Sequence, residues 1–173
     1  MAALTALRAN DMKHYKLTDE TMTLADGTIL HRIECTEPIE RLGIRVGAKG
    51  GWIEKESNLN DEAWVYGDAE VYGDADVHGN AEVYGDADVY GNAKVYGDAV
   101  ILSNRDYIVF KNWWSSGRYF TWTRSNNMWR VGCFYGTGEE LIAKAYKDSE
   151  KSGREYERVV KYVQSILDDE LKQ

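Results

Sequence analysis

The chain of 173 residues is acidic, with 21 Lys or Arg against 29 Asp or Glu and a formal net charge of −8. Its hydrophobic fraction of 43% and single Pro indicate a folded chain of one compact unit or two small ones. No apolar run approaches the roughly 20 residues of a membrane span, and no signal-peptide core precedes Asp11. Cys35 and Cys133 lie outside any disulfide or metal spacing, so we expect a cytoplasmic protein.

The N-terminal third predicts an extension followed by a β cap. Residues 1–14 predict a disordered or helical extension, with Met12 as a possible natural start. Over 15–62 short strands are expected, joined around Asp26-Gly27, which is a strong hairpin signal. The run Lys49-Gly50-Gly51 lacks the spacing of a phosphate loop and is interpreted as a turn. Trp52 or Trp64 is expected to cover one end of the element that follows.

That element, over 63–104, repeats a six-residue unit seven times: AWVYGD, AEVYGD, ADVHGN, AEVYGD, ADVYGN, AKVYGD and AVILSN. A fixed short period indicates one structural unit copied and stacked. Alternation of Ala and Val with polar residues predicts a half-buried strand, and Gly followed by Asp or Asn predicts a corner. A strand and a corner every six residues predict a coil.

The segment 105–173 predicts a small α+β domain. Three apolar, aromatic stretches read as strands, namely DYIVFKN, RYFTWTRS and MWRVGCF. Thr137 followed by two acids suits the start of a helix that runs to about Ser149. A break at Ser152-Gly153 then precedes a second, amphipathic helix.

Charge is unevenly distributed along the chain. Residues 63–104 contain eight acids against Lys94 alone and therefore hold −7 of the net charge. The segment 105–134 is basic, with five Lys or Arg against Asp106 alone. We therefore expect an electrically polarised molecule.

The repeat resembles the hexapeptide repeat of left-handed β-helices, in which three units form one triangular turn. The resemblance implies a mainly β fold, with a short left-handed β-helix between an N-terminal β cap and a C-terminal α+β domain. It also implies that residues eighteen apart stack. The expected pairs are Tyr66 over Tyr84, Tyr72 over Tyr90, His78 over Tyr96, and Val65 over Val83 and then Ile101.

From Met12 onward the chain also resembles a group of hexapeptide-repeat, polymer-forming proteins encoded by phages and prophages of Gram-positive bacteria. The resemblance rests on KLTDETM, GTILHRIE, KGGWIEKESNL, the AWVYGDAEVYGDA ladder and GCFYGTGEEL. It implies a virus-encoded, cytosolic accessory protein that antagonises host defences. It brings no catalytic motif, and no cofactor is expected.

The first functional hypothesis is non-enzymatic binding and sequestration of a small anionic ligand, with a nucleotide immune signal, such as a cyclic nucleotide, as the favoured class. Rings that stack and guanidinium groups that bind phosphate interleave in the basic segment. Strand alternation places Arg118, Phe120, Trp122 and Arg124 on one face. The alternative is that Phe120 and Trp122 form the core of a small sheet. The candidate ligand-binding residues are Tyr107, Lys111, Trp113, Trp114, Arg118, Trp122, Arg124 and Arg130.

The second hypothesis is an acidic decoy surface on the coil that binds and inhibits a basic host defence protein. Eighteen-residue stacking places Glu70 over Asp88 and Asp68 over Asp86, and like charges one strand apart repel. The alternative is that acids at corners are turn chemistry. The candidate residues are Asp68, Glu70, Asp76, Glu82, Asp86 and Asp88. Direct binding of nucleic acid or of a membrane is not expected.

Both hypotheses include self-assembly, because so short a coil leaves rigid, amphipathic tyrosines facing outward. A homo-oligomer, with a trimer favoured by the likeness to other left-handed β-helices, would bury some of them. The candidate interface residues are Tyr66, Tyr72, Tyr84, Tyr90 and Tyr96.

An enzyme is the third and least favoured class. Acyltransferases with hexapeptide repeats need a general-base His in a groove, and the related carbonic anhydrases need three His around zinc. This chain contains His14, His31 and His78, and the last occupies a position that holds Tyr in most repeat units. Neither a catalytic residue nor a metal site is therefore predicted.

Overall fold

The structure, a computed structural model, describes residues 13–172. Most of the predicted extension over 1–14, including Met12, therefore lies outside the described residues. The fold is mainly β with a helical C-terminal region. The strands are β1 Tyr15–Thr23, β2 Ile29–Cys35, β3 Lys49–Ile53, β4 Trp64–Val65, β5 Glu70–Val71, β6 Asp76–Val77, β7 Glu82–Val83, β8 Asp88–Val89, β9 Lys94–Val95, β10 Val100–Ile101, β11 Tyr107–Lys111, β12 Tyr119–Thr123, β13 Met128–Val131 and β14 Phe134–Gly136. The helices are α1 Gly138–Asp148 and α2 Glu150–Glu170.

The repeats form a three-sided coil of parallel strands in which paired residues lie eighteen positions apart. One side pairs β4, β7 and β10, a second pairs β5 with β8, and the third pairs β6 with β9. The predicted row of Val65, Val83 and Ile101 is confirmed by this register. Each repeat buries its Ala and its Val or Ile almost completely, so the coil interior is a narrow stack of small aliphatic side chains.

Glycine at the fifth repeat position is required by the corners. In the first six repeats its φ lies between +59° and +77°, a region that L side chains rarely adopt. Successive corners are also close together. A Cβ on Gly73 would lie 3.2 Å from the backbone nitrogen of Gly91, so a larger residue would push consecutive turns apart.

The N-terminal strands continue one side of the coil. The hairpin of β1 and β2 is antiparallel, as Asp26-Gly27 predicted, and β3 pairs in parallel with β5. The expected turn at Lys49-Gly50-Gly51 is wrong, because these residues belong to β3. Both glycines are buried there, and a Cβ on Gly50 would lie 2.6 Å from the Ile33 side chain. Close packing of β3 on its neighbours, not a corner, requires the glycines.

The C-terminal segment forms an antiparallel sheet in the order β11-β12-β13-β14, under two helices. Its helix-facing core contains Phe120, Trp122, Trp129, Leu141 and Val163. Its opposite face contacts the last turn of the coil, where Thr121 Oγ1 accepts a hydrogen bond from the Lys94 N–H (2.9 Å). The predicted strands DYIVFKN and RYFTWTRS are confirmed as β11 and β12. The third, MWRVGCF, is wrong as a single strand, because a turn at Gly132 (φ +58°) ends β13 and returns the chain as the antiparallel β14.

The helices differ from the prediction at their junction. Thr137 caps α1 as expected, and its hydroxyl accepts a hydrogen bond from the Glu140 N–H. The predicted break at Ser152-Gly153 is wrong, because α1 ends at Asp148 and Ser149 caps α2. Gly153 lies inside α2, where a Cβ would clash with the ring of Tyr146, so this glycine serves helix packing.

Candidate functional site

A groove of about 470 Å³ lies between one edge of the coil and the overhanging C-terminal sheet. Its volume falls within the range of about 300 to 1,000 Å³ that is usual for small-molecule sites. The coil supplies one wall through a corner, and the sheet supplies the other through the first two of its strands. The lining residues are Tyr90, Gly91, Asn92, Asn104, Tyr107, Ile108, Val109 and Tyr119.

Strand register explains why the sheet presents these side chains to the coil. Tyr107 pairs with Thr123, Val109 with Thr121, and Lys111 with Tyr119. Paired residues of an antiparallel sheet point to the same face. Since Thr121 bonds the coil, Tyr107, Val109, Lys111 and Tyr119 also belong to the coil-facing side.

Tyr107 is anchored at the inner end of the groove. Its hydroxyl donates a hydrogen bond to the carbonyl oxygen of Asp88 (2.8 Å). Burial raises the pKa of Tyr107 to about 12, so this hydrogen bond persists into alkaline solution. The wall residue Tyr107 is therefore rigid.

The open side of the groove combines exposed rings with a cation. Tyr90 is 50% exposed and stacks on Tyr72 with ring centroids 5.4 Å apart. The Nζ atom of Lys111 lies 5.8 Å from the ring centroid of Tyr119. Asn92 is half-buried, and its amide has no hydrogen-bond partner among residues 13–172. Together these groups offer stacking surface, a positive charge and an amide that no other described residue engages.

The remaining candidate ligand residues are dispersed. Trp122 is 1% exposed in the core under the helices, so the predicted pocket of two rings between Arg118 and Arg124 does not form. Trp114 is half-buried against Phe120 and Tyr156, whereas Trp113 is 82% exposed. Of the eight candidates, Tyr107 lines the groove and Lys111 lies beside it. Strand alternation correctly predicted that Phe120 and Trp122 share one face of the sheet. It did not predict that the helices cover this face.

The three candidate arginines also occupy separate places. Arg124 forms an ion pair with Glu170 (2.6 Å), and this bond lowers the pKa of the Glu170 carboxyl. Arg130 lies over the Tyr96 ring at 4.3 Å. Arg118 is exposed beside a hollow of about 80 Å³. Arg124 and Arg130 thus hold the C-terminal sheet to α2 and to the coil.

Two of the six candidate acids of the coil are neutralised by neighbours. Glu82 accepts hydrogen bonds from Tyr66 and Tyr84 and pairs with Arg41 (3.3 Å). Asp76 pairs with Lys94 (3.8 Å) and accepts hydrogen bonds from Asn60 (2.8 Å) and Tyr96 (2.5 Å).

The other four acids form a denser negative patch. Glu70 pairs with Asp88, and the same register stacks the exposed corners of Asp68 and Asp86. Burial, and then the charge of Asp88, raise the pKa of Glu70.

The outward ring pairs follow the predicted eighteen-residue stacking. Tyr66 stacks on Tyr84 at 4.1 Å and His78 on Tyr96 at 4.9 Å, which confirms these pairs as well as that of Tyr72 and Tyr90. Tyr96 also contacts Tyr135 of the C-terminal sheet. Of the candidate interface residues, Tyr90 is the one whose exposed fraction reaches half.

His31 and His78 are held by structural contacts, whereas the buried Nδ1 atom of His14 has no hydrogen-bond partner among residues 13–172. His78 Nδ1 lies 3.0 Å from Asp61 Oδ2, and His31 Nδ1 lies 3.2 Å from the carbonyl oxygen of Thr18. Within residues 13–172, no group of three or more His, Cys, Asp or Glu side chains is arranged to hold a metal ion.

Sequence reasoning missed Asn92, Asn104 and Tyr119 as groove residues. Tyr119 lies on the face of β12 opposite to Phe120 and Trp122. The sequence analysis assigned ligand binding to the Phe120 and Trp122 face because that face also carries two arginines. The two asparagines occupy repeat corners, where Asn is expected for turn geometry alone.

Two comparisons with known proteins find no relative from which a function could be inferred. A scan against models of protein families finds no match, and a search of curated proteins finds none. None of the described helices is long and apolar enough to cross a membrane.

Proposed function

We propose that this protein is a non-enzymatic binding module that sequesters a small anionic ligand with a planar ring, a nucleotide signal being the favoured class. The observation that carries the proposal is the groove walled by Tyr90, Tyr107 and Tyr119 with the ammonium group of Lys111 at Tyr119. A base stacks on aromatic side chains whatever its sequence identity, at about 1 to 3 kcal/mol per base. Lys111 then meets the phosphate as a point charge.

Several features of the groove support a nucleotide over an unspecific apolar ligand. Two asparagines and three phenols make its walls polar as well as flat. The free amide of Asn92 both donates and accepts, as the edge of a base requires. Asn104 is already engaged, since its amide bonds the backbone nitrogen (2.7 Å) and the carboxylate of Asp88.

The proposal includes the finer architecture and the setting. We propose that the three-sided coil is a left-handed β-helix and that the protein forms a homo-trimer in the bacterial cytosol. An assembly of this kind provides several equivalent grooves. In the setting implied by the phage resemblance, each groove would remove a nucleotide signal from a host defence system.

Native mass spectrometry of protein purified gently from a bacterial cytosol tests the proposal. The spectrum reports the oligomer and any bound small molecule, and is then repeated with a panel of cyclic and linear nucleotides. We expect discrete adducts, one for each groove. An unchanged spectrum across the whole panel would contradict nucleotide binding and direct attention to the acidic patch.

The runner-up proposal is a decoy surface formed by Asp68, Glu70, Asp86 and Asp88. It is favoured by the strand register, which places Glu70 beside Asp88, and the Asp88 charge adds to burial in raising the pKa of Glu70. A basic partner would relieve that repulsion. Changing Asp68, Glu70 and Asp86 to Ser should abolish capture of such a partner while leaving nucleotide adducts unchanged; Asp88 is retained because its carboxylate bonds Asn104 of the groove.

A further inference from the structure

Strand β11 lies at an edge of the C-terminal sheet. The order β11-β12-β13-β14 leaves one side of β11 without a neighbouring strand among the described residues. On its inner side, the Asp106 carbonyl accepts a hydrogen bond from the Arg124 N–H (2.8 Å), and the Asn112 N–H donates to the Arg118 carbonyl (2.7 Å). Backbone groups of successive residues in an antiparallel strand point to alternate sides. The even-numbered residues of β11 therefore bond β12, and the odd-numbered ones point outward.

The outward backbone groups of β11 are unpaired. The N–H and C=O groups of Tyr107, Val109 and Lys111 have no hydrogen-bond partner within residues 13–172. A row of such groups on a sheet edge is a template for pairing with another strand.

Two other sheet edges, β1 and β14, are protected against such pairing. β1 carries the exposed charges of Lys16, Asp19 and Glu20 and a shift of register along its length. β14 is three residues long. Charges, bulges and short length are the usual devices that prevent edge pairing. By contrast, β11 has five residues in regular register, and its one charge, on Lys111, is at the end of the strand.

The sequence of β11 is complementary to itself. In an antiparallel pairing centred on Val109, Val109 faces its own copy and Tyr107 faces Lys111. This register forms two hydrogen bonds for each of the three outward pairs. An ammonium group beside a phenol ring is favourable, and no two like charges face each other. A shift by two residues in either direction would leave an outward residue of each strand without a partner in the other.

The helix-facing side of the same edge is apolar and incompletely covered. Ile108 and Phe110 are half-buried, and Phe110 contacts Tyr162 of α2, whose side chain is 56% exposed. Trp113, two residues beyond β11, is also exposed. Pairing centred on Val109 places Ile108 opposite Phe110 of the second strand and removes this apolar strip from water. A second copy of the chain thus matches the backbone groups and both faces of the edge.

We propose that β11 is a dimerisation edge, which pairs with β11 of a second copy across a two-fold axis at Val109. Two sheets of four strands then form one continuous sheet. The pairing uses a surface other than the outward tyrosines of the coil, and it does not depend on nucleotide binding in the groove. Together with the trimer proposed for the coil, it gives a hexamer.

Native mass spectrometry without added nucleotide tests the pairing by counting subunits. We expect an even number for the wild-type protein. Val109→Lys places two ammonium groups face to face at the axis, and Val109→Glu places two carboxylates there, so each should halve the number of subunits. An equimolar mixture of the two variants should restore the wild-type number, in particles that contain equal numbers of each. Misfolded variants would not rescue each other in this way.

Val109→Pro tests the backbone hydrogen bonds. Because the Val109 N–H points outward, Pro removes no bond to β12 but removes those at the axis, and it should also halve the subunit number. Thr23→Pro is the matched control on the edge of β1. Its N–H points outward too, since the next residue, Leu24, bonds inward to the Thr28 carbonyl (2.8 Å), so the number should stay unchanged.

Three results would overturn the proposal. They are an odd number of subunits in the wild-type protein, an unchanged number in Val109→Lys, and a mixture of Val109→Lys and Val109→Glu that fails to restore the wild-type number. The nucleotide panel used for the groove plays no part in this count. A failure of nucleotide binding and a failure of β11 pairing are therefore observed separately.

Discussion

Lys94 and Thr121 meet where the coil ends, and the Thr121 hydroxyl accepts the hydrogen bond of the Lys94 N–H (2.9 Å). In the coil itself, each such N–H bonds a carbonyl seventeen residues onward, as Asp76 does to Ala93. The other two sides end in the same way. Asn104 Oδ1 accepts from the Asp88 N–H (2.7 Å) and Ser125 Oγ from the Val100 N–H (2.7 Å). Side-chain oxygens thus replace a further turn and block open-ended stacking at this end.

Removing the Thr121 hydroxyl should destabilise the fold. Thr121 is 1% exposed, so Thr121→Val keeps the side-chain shape and leaves the buried Lys94 N–H unpaired. We expect a loss of about 1 to 3 kcal/mol in the free energy of unfolding, measured by urea denaturation. Thr23→Val, on an exposed position of β1, is the matched control and should change it by less than about 0.5 kcal/mol. Equal effects of the two substitutions would contradict this role for Thr121.

Ligand affinity should depend on Lys111 and Tyr119. Lys111→Glu reverses the charge beside the groove, and Tyr119→Leu removes a stacking ring. Each should weaken binding of a nucleotide found by native mass spectrometry by roughly tenfold or more, the equivalent of one stacking contact. Isothermal titration calorimetry measures the change. Lys151→Glu makes the same charge reversal on α2 and should leave affinity unchanged; a comparable loss there would indicate a nonspecific electrostatic effect.

Glu70 should lower stability at neutral pH. Burial and the charge of Asp88 raise its pKa, so the folded state favours the protonated acid. Its contribution is therefore fully present below the unfolded pKa of about 4.3 and is lost as pH rises through the folded pKa. Glu70→Gln should stabilise the protein at pH 7 by roughly 0.5 kcal/mol and flatten the pH dependence of unfolding between these pKa values.

Glu157 provides a control of opposite sign for that experiment. Its hydrogen bond to Lys161 lowers its pKa, so Glu157 contributes stability that is present above the unfolded pKa and is lost as pH falls. Glu157→Gln should therefore not stabilise the protein at pH 7. If both substitutions raise the melting temperature equally, repulsion between Glu70 and Asp88 is not the cause.

The protein should lose stability in alkaline solution through Tyr96 of the coil and Tyr107 of the C-terminal sheet. Burial raises the pKa of Tyr96 and of Tyr107 to about 12, and Tyr96 also donates to Asp76. Their contribution is fully present below the unfolded pKa of about 10 and is lost as pH rises through about 12. The free energy of unfolding measured across this interval should fall as the tyrosinate absorbance, recorded in parallel, rises. Tyr96→Phe should reduce the slope, and an unchanged slope would contradict the assignment to Tyr96.

The repeat alone determined the register of the coil. Every repeat unit places Ala and a β-branched residue at fixed positions, and the first six units also place Gly at the corner. Stacking at eighteen residues therefore aligns like positions of all units at once, and it predicted Tyr66 over Tyr84 directly. Local signals were equally sufficient for β11, β12 and the start of β13 and for Thr137 at the start of α1, but not for the turn at Gly132 and the fourth strand β14. These features depend on residues close in sequence or on an exact period.

Only the tertiary structure decided which face of that sheet is covered and where a groove remains. Alternation placed Trp122 with Arg118 and Arg124, yet the same pattern fits an open face and a face buried under helices. Tyr90, Tyr107 and Tyr119 come together because the sheet overhangs a coil corner, and that position is set by contacts such as those of Lys94 with Thr121 and Tyr96 with Arg130. Such contacts join segments about thirty residues apart without any repeat between them, so no local pattern encodes them.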